Sequence, residues 1–216
     1  MIILIEYMVA DGGVRIKRLD PAARILESAE ALFARKGYDA VSIREIAQLA
    51  QVQSSTIYYY FNDKSGVFQS ILENALQELT KILESVAGDG DDPYCKFEKF
   101  VRSYTEFLRK KQNLAQLVMQ VIFFEESAFK YLVNQYWVKH YLIAEGILRE
   151  GVEKGVFRLI DTRLLTVFIR GMILWYFMSS PITDLFPGME NHREEYGDKL
   201  AGEILDVFLH GILRDG

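Results

Sequence analysis

Residues 50–66, AQVQSSTIYYYFNDKSG, put three tyrosines in a row inside a short polar segment. An α-helix turns by about 100° per residue, so three consecutive side chains fan over roughly 200° and cannot all enter one core. With Ile57 at the centre of a buried stripe, Phe61 falls on the same face, Ser55 and Tyr59 lie near the opposite pole, and Thr56, Tyr58 and Tyr60 flank that pole. A strip of hydroxyls and flat rings on a short rigid helix suits a groove-reading element, because hydroxyls bond bases or phosphates and rings pack on sugars and thymine methyls. A solvated amphipathic helix that tolerates tyrosine is the other reading of the same residues.

The flanks bear on that choice. Upstream, DAVSIREIAQLA predicts a helix with Ser42 as N-cap and Glu45, three residues on, completing a capping box. Ile43, Ile46, Ala47 and Ala50 give it an apolar face small enough for a second helix to approach closely. A break at residues 50–52 precedes SSTIYYYF, which makes a helix-turn-helix whose second element lies in the major groove. Before it, DPAARILESAEALFARKGYDA predicts a longer helix capped by Asp20, opened by Pro21, buried through Ile25, Ala29, Leu32 and Phe33, and stopped at Gly37.

The run from Ile25 to Leu72, ILESAEALFARKGYDAVSIREIAQLAQVQSSTIYYYFNDKSGVFQSIL, resembles the DNA-binding domain of the TetR/AcrR family of bacterial transcriptional regulators. ALFARKGYDAVSIREIA, TIYYYF and FNDKSGVF carry the resemblance independently. It implies that Ser42 and Thr56 meet phosphates and that Arg44 reaches a base edge or a phosphate. By the same resemblance Gln53, Ser54, Ser55, Tyr58 and Tyr59 face the groove, Tyr60 and Lys64 clamp the backbone, and Val52, Ile57 and Phe61 stay in the core. Two positions depart from the family pattern. Gln51 stands where glycine is usual, so a left-handed backbone there costs on the order of 1 kcal/mol. Gln53 replaces the usual cap, so the helix is expected to take Ser54 as its N-cap.

Half of the 216 residues are apolar, ample for a core, and the net charge is −5. Residues 1–70 are balanced and the acidity lies in the remainder. A non-specific nucleic-acid binder is far more basic, so a small, well-placed DNA surface doubled by symmetry is expected. The single cysteine, Cys95, and the absence of a Cys/His cluster at zinc spacing point to a reducing cytoplasm without structural metal or cofactor. MIILIEYMVADGG carries Glu6 and has no basic run before its apolar stretch; it reads as a loose arm rather than a secretory signal, with Met8 as a second candidate start. RIKR at 15–18 adds phosphate contacts or is simply a charged tail.

Beyond the head every segment reads as helix, giving an all-α fold of about nine helices. The expected division is a flexible arm at 1–19, a helix-turn-helix domain at 20–66, and a ligand-binding and dimerisation domain at 67–216. Within the last, residues 67–87 form a connecting helix and GDGDDP at 88–93 a linker. LLTVFIRGMILWYFM is apolar all round, with Leu164, Val167, Phe168, Gly171, Leu174, Trp175 and Met178 on one stripe. Fifteen residues interrupted by Arg170 fall short of the roughly 20 that span a membrane. Paired with the last helix and their symmetry mates, this segment makes a four-helix homodimer interface, as the resemblance also implies; burial within one chain is the alternative.

The middle helices are rich in aromatics. Tyr104, Phe107, Phe123, Trp137, Tyr141 and Trp175, with Gln120 and Arg170 as polar contacts, are the candidate lining of a small-molecule inducer site, although such residues also fill ordinary cores. Arg170 faces either a ligand carboxylate or an ion pair with Glu203 or Asp206, and His140 reads as a surface or rim histidine. An enzyme is not expected, since the three histidines are scattered and no motif frames Cys95. The sum is a ligand-responsive regulator that releases a palindromic double-stranded DNA operator when a small, largely apolar molecule binds, with a helical protein-interaction adaptor as the alternative.

Overall fold

The computed structural model describes residues 7–10, 13–16, 20–111, 113–124, 130–183, 185–187 and 192–212. Apart from one short hairpin, these residues are helices and the turns between them, in two units, Met1–Ile71 and Leu72–Gly216. In the first unit, strands β1 (Tyr7–Ala10) and β2 (Gly13–Ile16) pair antiparallel, Tyr7 opposite Ile16 and Ala10 opposite Gly13. A loose arm is what the sequence suggests here. The overlooked signal is the pair Asp11–Gly12 between the strands, the dipeptide that two-residue hairpin turns favour.

Helix α1 (Pro21–Lys36) buries Ile25, Ala29, Leu32 and Phe33. Asp20 occupies the cap position but its side chain makes no capping bond; its carbonyl accepts from the Arg24 N–H at 3.1 Å. Gly37 ends the helix at φ 81°, ψ 158°, a conformation that only glycine adopts freely. Around that stop Phe33, Tyr38 and Phe68 form an aromatic triangle with centroids 4.9–5.5 Å apart.

Helix α2 (Ile43–Ala50) opens with the expected capping box. Ser42 Oγ accepts from the Glu45 N–H at 3.2 Å and Glu45 Oε2 accepts from the Ser42 N–H at 2.8 Å. Lys36 closes the assembly through a 2.8 Å ion pair to Glu45 Oε1, so the end of α1 and the start of α2 share one carboxylate. The Lys36 ammonium first, then the Ser42 amide and hydroxyl, hold that carboxyl down from 4.5 to about 2. At its other end α2 stops in a left-handed Gln51 (φ 54°, ψ 47°), as the glycine position requires. The Val52 N–H returns to Ala47 O at 3.0 Å and the Gln51 N–H to Gln48 O at 3.3 Å, which closes the turn.

Helix α3 (Ser54–Phe61) buries Ile57 completely. It ends at Asn62, whose positive φ of 63° and ψ of −49° make a γ-turn of the rare, strained kind, with the Asp63 N–H on Phe61 O at 2.8 Å. Asp63 then caps α4 (Lys64–Gly88) by accepting from the Gly66 N–H at 2.8 Å. The approach is so close that a Cβ on Gly66 would lie 2.0 Å from the Phe61 carbonyl oxygen.

In the second unit, residues 72–88 of α4 are followed by α5 (Pro93–Lys110), α6 (Leu114–Phe124), a π-helical turn Val133–Trp137 running into α7 (Val138–Glu153), α8 (Thr162–Met178), a short turn of helix Ser180–Thr183, and α9 (His192–Ile212). Helix α5 is the hub: α7, α8 and α9 all pack on it, and α8 also packs on α6 and α7. The acidic segment expected to be a linker is a tight turn. Asp92 caps α5 by accepting from Tyr94 and Cys95, and Lys99 pairs with both Asp89 and Asp91. Gly151 is pressed by the Phe157 ring, which would stand 2.1 Å from a Cβ there and meets Phe97 edge-on.

Replacing Gly66 with Ala should lower the stability of the first unit by about 1–3 kcal/mol, the usual cost of forcing an extra group into a filled space, read by urea unfolding. For Glu45→Gln the effect depends on pH. The carboxylate's contribution is complete above 4.5 and lost as pH falls through about 2, so the stability gap to wild type should narrow over that interval.

Candidate nucleic-acid interface

A helix of eight residues offers few side chains, and which of them face water decides what α3 can touch. Opposite the buried Ile57, Tyr58 is 53%, Tyr59 82% and Tyr60 42% exposed. Gln53 and Ser55 are exposed with them, while Ser54 and Thr56 are half-buried. Tyr60 stands edge-on to Tyr59 at 5.1 Å and tilted against Phe61 at 6.1 Å, so it braces the ring beside it. Val52 and Phe61, expected in the core, are half-buried, which leaves Ile57 as the one sealed anchor of α3.

The N-cap differs from expectation. Gln53, with extended backbone at φ −81°, ψ 150°, holds the cap position and Ser54 is the first helical residue. The Gln53 carbonyl takes the Thr56 N–H at 2.9 Å, and its longer side chain lies 3.5 Å from the Ser55 hydroxyl instead of capping the helix. Ser54 is thereby turned partly inward, which weakens it as a base reader. On α2, Ser42 and Arg44 are exposed, but the Ser42 hydroxyl is already engaged by Glu45.

Lys64 departs furthest from the sequence reading. Its Nζ donates to Tyr38 O at 2.9 Å and reaches Asp39 O at 3.5 Å, 4.2 Å from the centroid of the Tyr38 ring. The side chain braces the loop between α1 and α2, and at most part of its donor capacity remains for a phosphate. Sequence reasoning also missed Arg24, whose Nη1 donates to Ala50 O at 3.1 Å and so covers the last carbonyl of α2 from α1. No local pattern marks a long-range cap of that kind. Gly66 did carry a signal, a glycine in the first turn of a helix that otherwise has good formers.

The second unit distributes the candidate ligand residues unevenly. Tyr104 and Phe107 are buried on α5, Gln120 is half-buried on α6, and Phe123 lies outside the residues whose side chains are described. Trp137 and Tyr141 are half-buried at the π-turn and on α7. Arg170 turns to the Trp137 carbonyl, Nη1 to O 3.4 Å, and not to Glu203 or Asp206. Trp175 is 61% exposed and shares the outward apolar stripe of α8 with Leu164, Val167, Phe168 and Met172, so it lines no interior site. Its position follows from helical spacing, since Ile169, Ile173 and Phe177 take the inward face. His140 is no rim residue: it is wholly buried, and burial first, then the charge of Arg170, push its pKa down from 6.5 to about 4.

Among the described residues no helix is long and apolar enough to cross a membrane, and no group of His, Cys, Asp and Glu could hold a metal ion.

Residues 25–71 match the family model described as bacterial regulatory proteins, tetR family. Over 201 residues the chain is 25% identical to the HTH-type transcriptional repressor KstR2 of Rhodococcus jostii, spanning 87% of this chain and 89% of that protein. The TetR family transcriptional regulator PfmR of Thermus thermophilus superposes with a TM-score of 0.70 at 26% identity, over 85% of this chain and 97% of that one. FadR of Bacillus subtilis, solved in complex with stearoyl-CoA, shares the fold with a TM-score of 0.69 at 20% identity, over 84% of this chain and 96% of that one. A helix-turn-helix with an outward tyrosine pole, matched by that family model over residues 25–71, and a likeness to such regulators at about a quarter identity along most of the chain make this protein similar to the TetR-family regulators.

Proposed function

We propose that this protein is a cytoplasmic transcriptional repressor that binds a palindromic operator as a homodimer and releases it when a small, largely apolar molecule enters the second unit. The observation that carries the reading is the outward pole of α3, three tyrosine rings held on a helix whose other side is anchored by Ile57. Tyr58 and Tyr59 read or pack on the major groove together with Gln53 and Ser55. Tyr60 and Thr56 contact the backbone, Ser42 and Arg44 reach the flanking phosphates, and Ser54 contributes through its first-turn amide more than its half-buried hydroxyl. The uncapped N-terminus of α3 favours this use, because its first amides have no side-chain acceptor of their own.

The homodimer follows from α8. Leu164, Val167, Phe168, Met172 and Trp175 form a continuous exposed apolar stripe that a second copy would cover. Two recognition helices set about one helical turn of duplex apart then match a two-fold symmetric site. Residues 20–66 serve as the DNA-binding domain and 67–216 as the ligand-binding and dimerisation domain, with α4 contributing to both. A ligand that prefers a different packing of the second unit lowers operator affinity by its differential affinity for the two states.

Tyr59→Ala should weaken operator binding about tenfold or more, roughly 1.4 kcal/mol, with helicity and dimer mass unchanged, read by mobility shift and light scattering. Unaltered affinity would remove α3's outer pole from the interface. Lys64→Met should show mainly as lost stability of the first unit, with the slope of log affinity against log salt reduced by less than the ~0.9 expected of a full phosphate contact.

A further inference from the structure

A fully buried imidazole with one nitrogen unused stands beside an arginine that has no described carboxylate partner. Thr80 fixes the tautomer of the neutral histidine. Its hydroxyl donates to Leu76 O at 2.7 Å, so the 2.7 Å contact between Thr80 Oγ1 and His140 Nε2 has the imidazole N–H as donor. The other nitrogen, Nδ1, is then a bare acceptor, sealed from solvent and without a partner. Three residues earlier, at the end of the π-turn, Trp137 gives its carbonyl to Arg170 Nη1, and Arg170 Nε is likewise sealed and unpaired. A third unpaired buried group, the Thr105 hydroxyl, sits on α5, which packs on both α7 and α8. Buried polar atoms are normally satisfied, so the orphaned His140 Nδ1 and Arg170 Nε, on two helices that pack together and near enough for the arginine charge to act on the imidazole, call for a polar partner. π-Helical turns concentrate at functional sites.

We propose that His140 and Arg170 form an anchor for the carboxylate of an apolar ligand, which binds with uptake of one proton at His140 Nδ1. The inference rests on the ligand-responsive reading above and names the chemistry of that ligand. Of the charged groups around His140, Lys139 is already paired with Glu84 at 2.6 Å, whereas Arg170 has no carboxylate partner among the described residues. Without a ligand, burial and the Arg170 charge keep the imidazole neutral at pH 7. A carboxylate arriving between them reverses the balance. It accepts from Arg170 Nε and favours the imidazolium, whose new Nδ1–H donates to its second oxygen, the proton coming from solvent. A phosphate has more oxygens than these few donors can satisfy, and a neutral alcohol would leave the arginine uncompensated. The rest of the ligand is apolar because Ala144, Ile169 and Ile173, the inward neighbours on α7 and α8, are buried hydrophobic residues.

Calorimetric titration of the full-length protein at pH 7 with decanoate and with decanol, in two buffers of different ionisation enthalpy, tests this. Decanoate should bind at least tenfold more tightly than decanol and take up about one proton per chain. Arg170→Gln should weaken decanoate at least tenfold and leave decanol unchanged, and His140→Gln, which keeps a donor for Thr80, should abolish the proton uptake. The wild-type proton count needs no variant to fold. Equal binding of the two probes, binding without proton uptake, or no binding of either, which would leave water as the sole occupant, overturns the anchor. Operator binding by the ligand-free protein is measured separately by mobility shift. Release of DNA by decanol as readily as by decanoate sinks the carboxylate anchor and leaves the repressor standing, while failure to bind any operator sinks the repressor itself.

Discussion

Eight residues of helix are too few to hold themselves rigid in water, because isolated helices shorter than about 12–15 residues are marginal. Helix α3 also lacks a side-chain cap, and only Ile57 among its residues is fully buried. Its rigidity is therefore borrowed from both ends. The left-handed Gln51 closes the turn before it, and the Asn62 γ-turn presses its last carbonyl against Gly66 of the next helix. Both conformations are strained for non-glycine residues, and strain of that kind persists where surrounding contacts over-determine it. Here the contacts are the Arg24 cap on α2, the Lys64 bonds to the 38–39 carbonyls and the capping box tied to Lys36. Outward tyrosines can act as a reading surface only if this frame does not yield.

The same frame draws on basic residues near α3 for its own bonds. Of the cations in this unit, Lys36 is neutralised by Glu45, while Arg24 and Lys64 spend their donors on backbone carbonyls. Arg44 remains exposed. A head of balanced charge, three of whose basic side chains are committed to architecture, has little non-specific attraction for a polyanion, which suits a protein that must find one site rather than coat DNA.

What the sequence made legible was periodicity and local chemistry. The stripes Ile25–Ala29–Leu32–Phe33 and Ile46–Ala47–Ala50, the Ser42 capping box and the outward tyrosines all follow from a 3.6-residue repeat and the residues that end it. For the hairpin the local signal is the Asp11–Gly12 pair, which the reading of a loose arm did not use. What could not be read were contacts between distant elements. Arg24 to Ala50, Lys64 to Tyr38 and Thr80 to His140 span 26 to 60 residues, and nothing in the local pattern records them. Trp175 was misplaced for a related reason. Aromatic content identifies neither the face of a helix nor which of two buried environments, a pocket or a subunit seam, the ring will fill.

The second unit combines two kinds of incompleteness that ask for different partners. The outer stripe of α8 is apolar and continuous, so its missing neighbour is another protein surface, and burial by a like face is non-directional and roughly proportional to area. The His140–Arg170 pair offers two buried, unpaired polar atoms, so the neighbour proposed for it is a few atoms with directed hydrogen bonds and one negative charge. Arg170 lies on α8 between Ile169 and Gly171, on the same helix whose opposite side carries Phe168 and Trp175. Occupying the inner site therefore bears on the helix that presents the outer one. Rotating α8 by even one residue's share of a turn would change which apolar side chains a second copy meets, and close-packed interfaces respond to such shifts by switching between discrete arrangements rather than by yielding gradually.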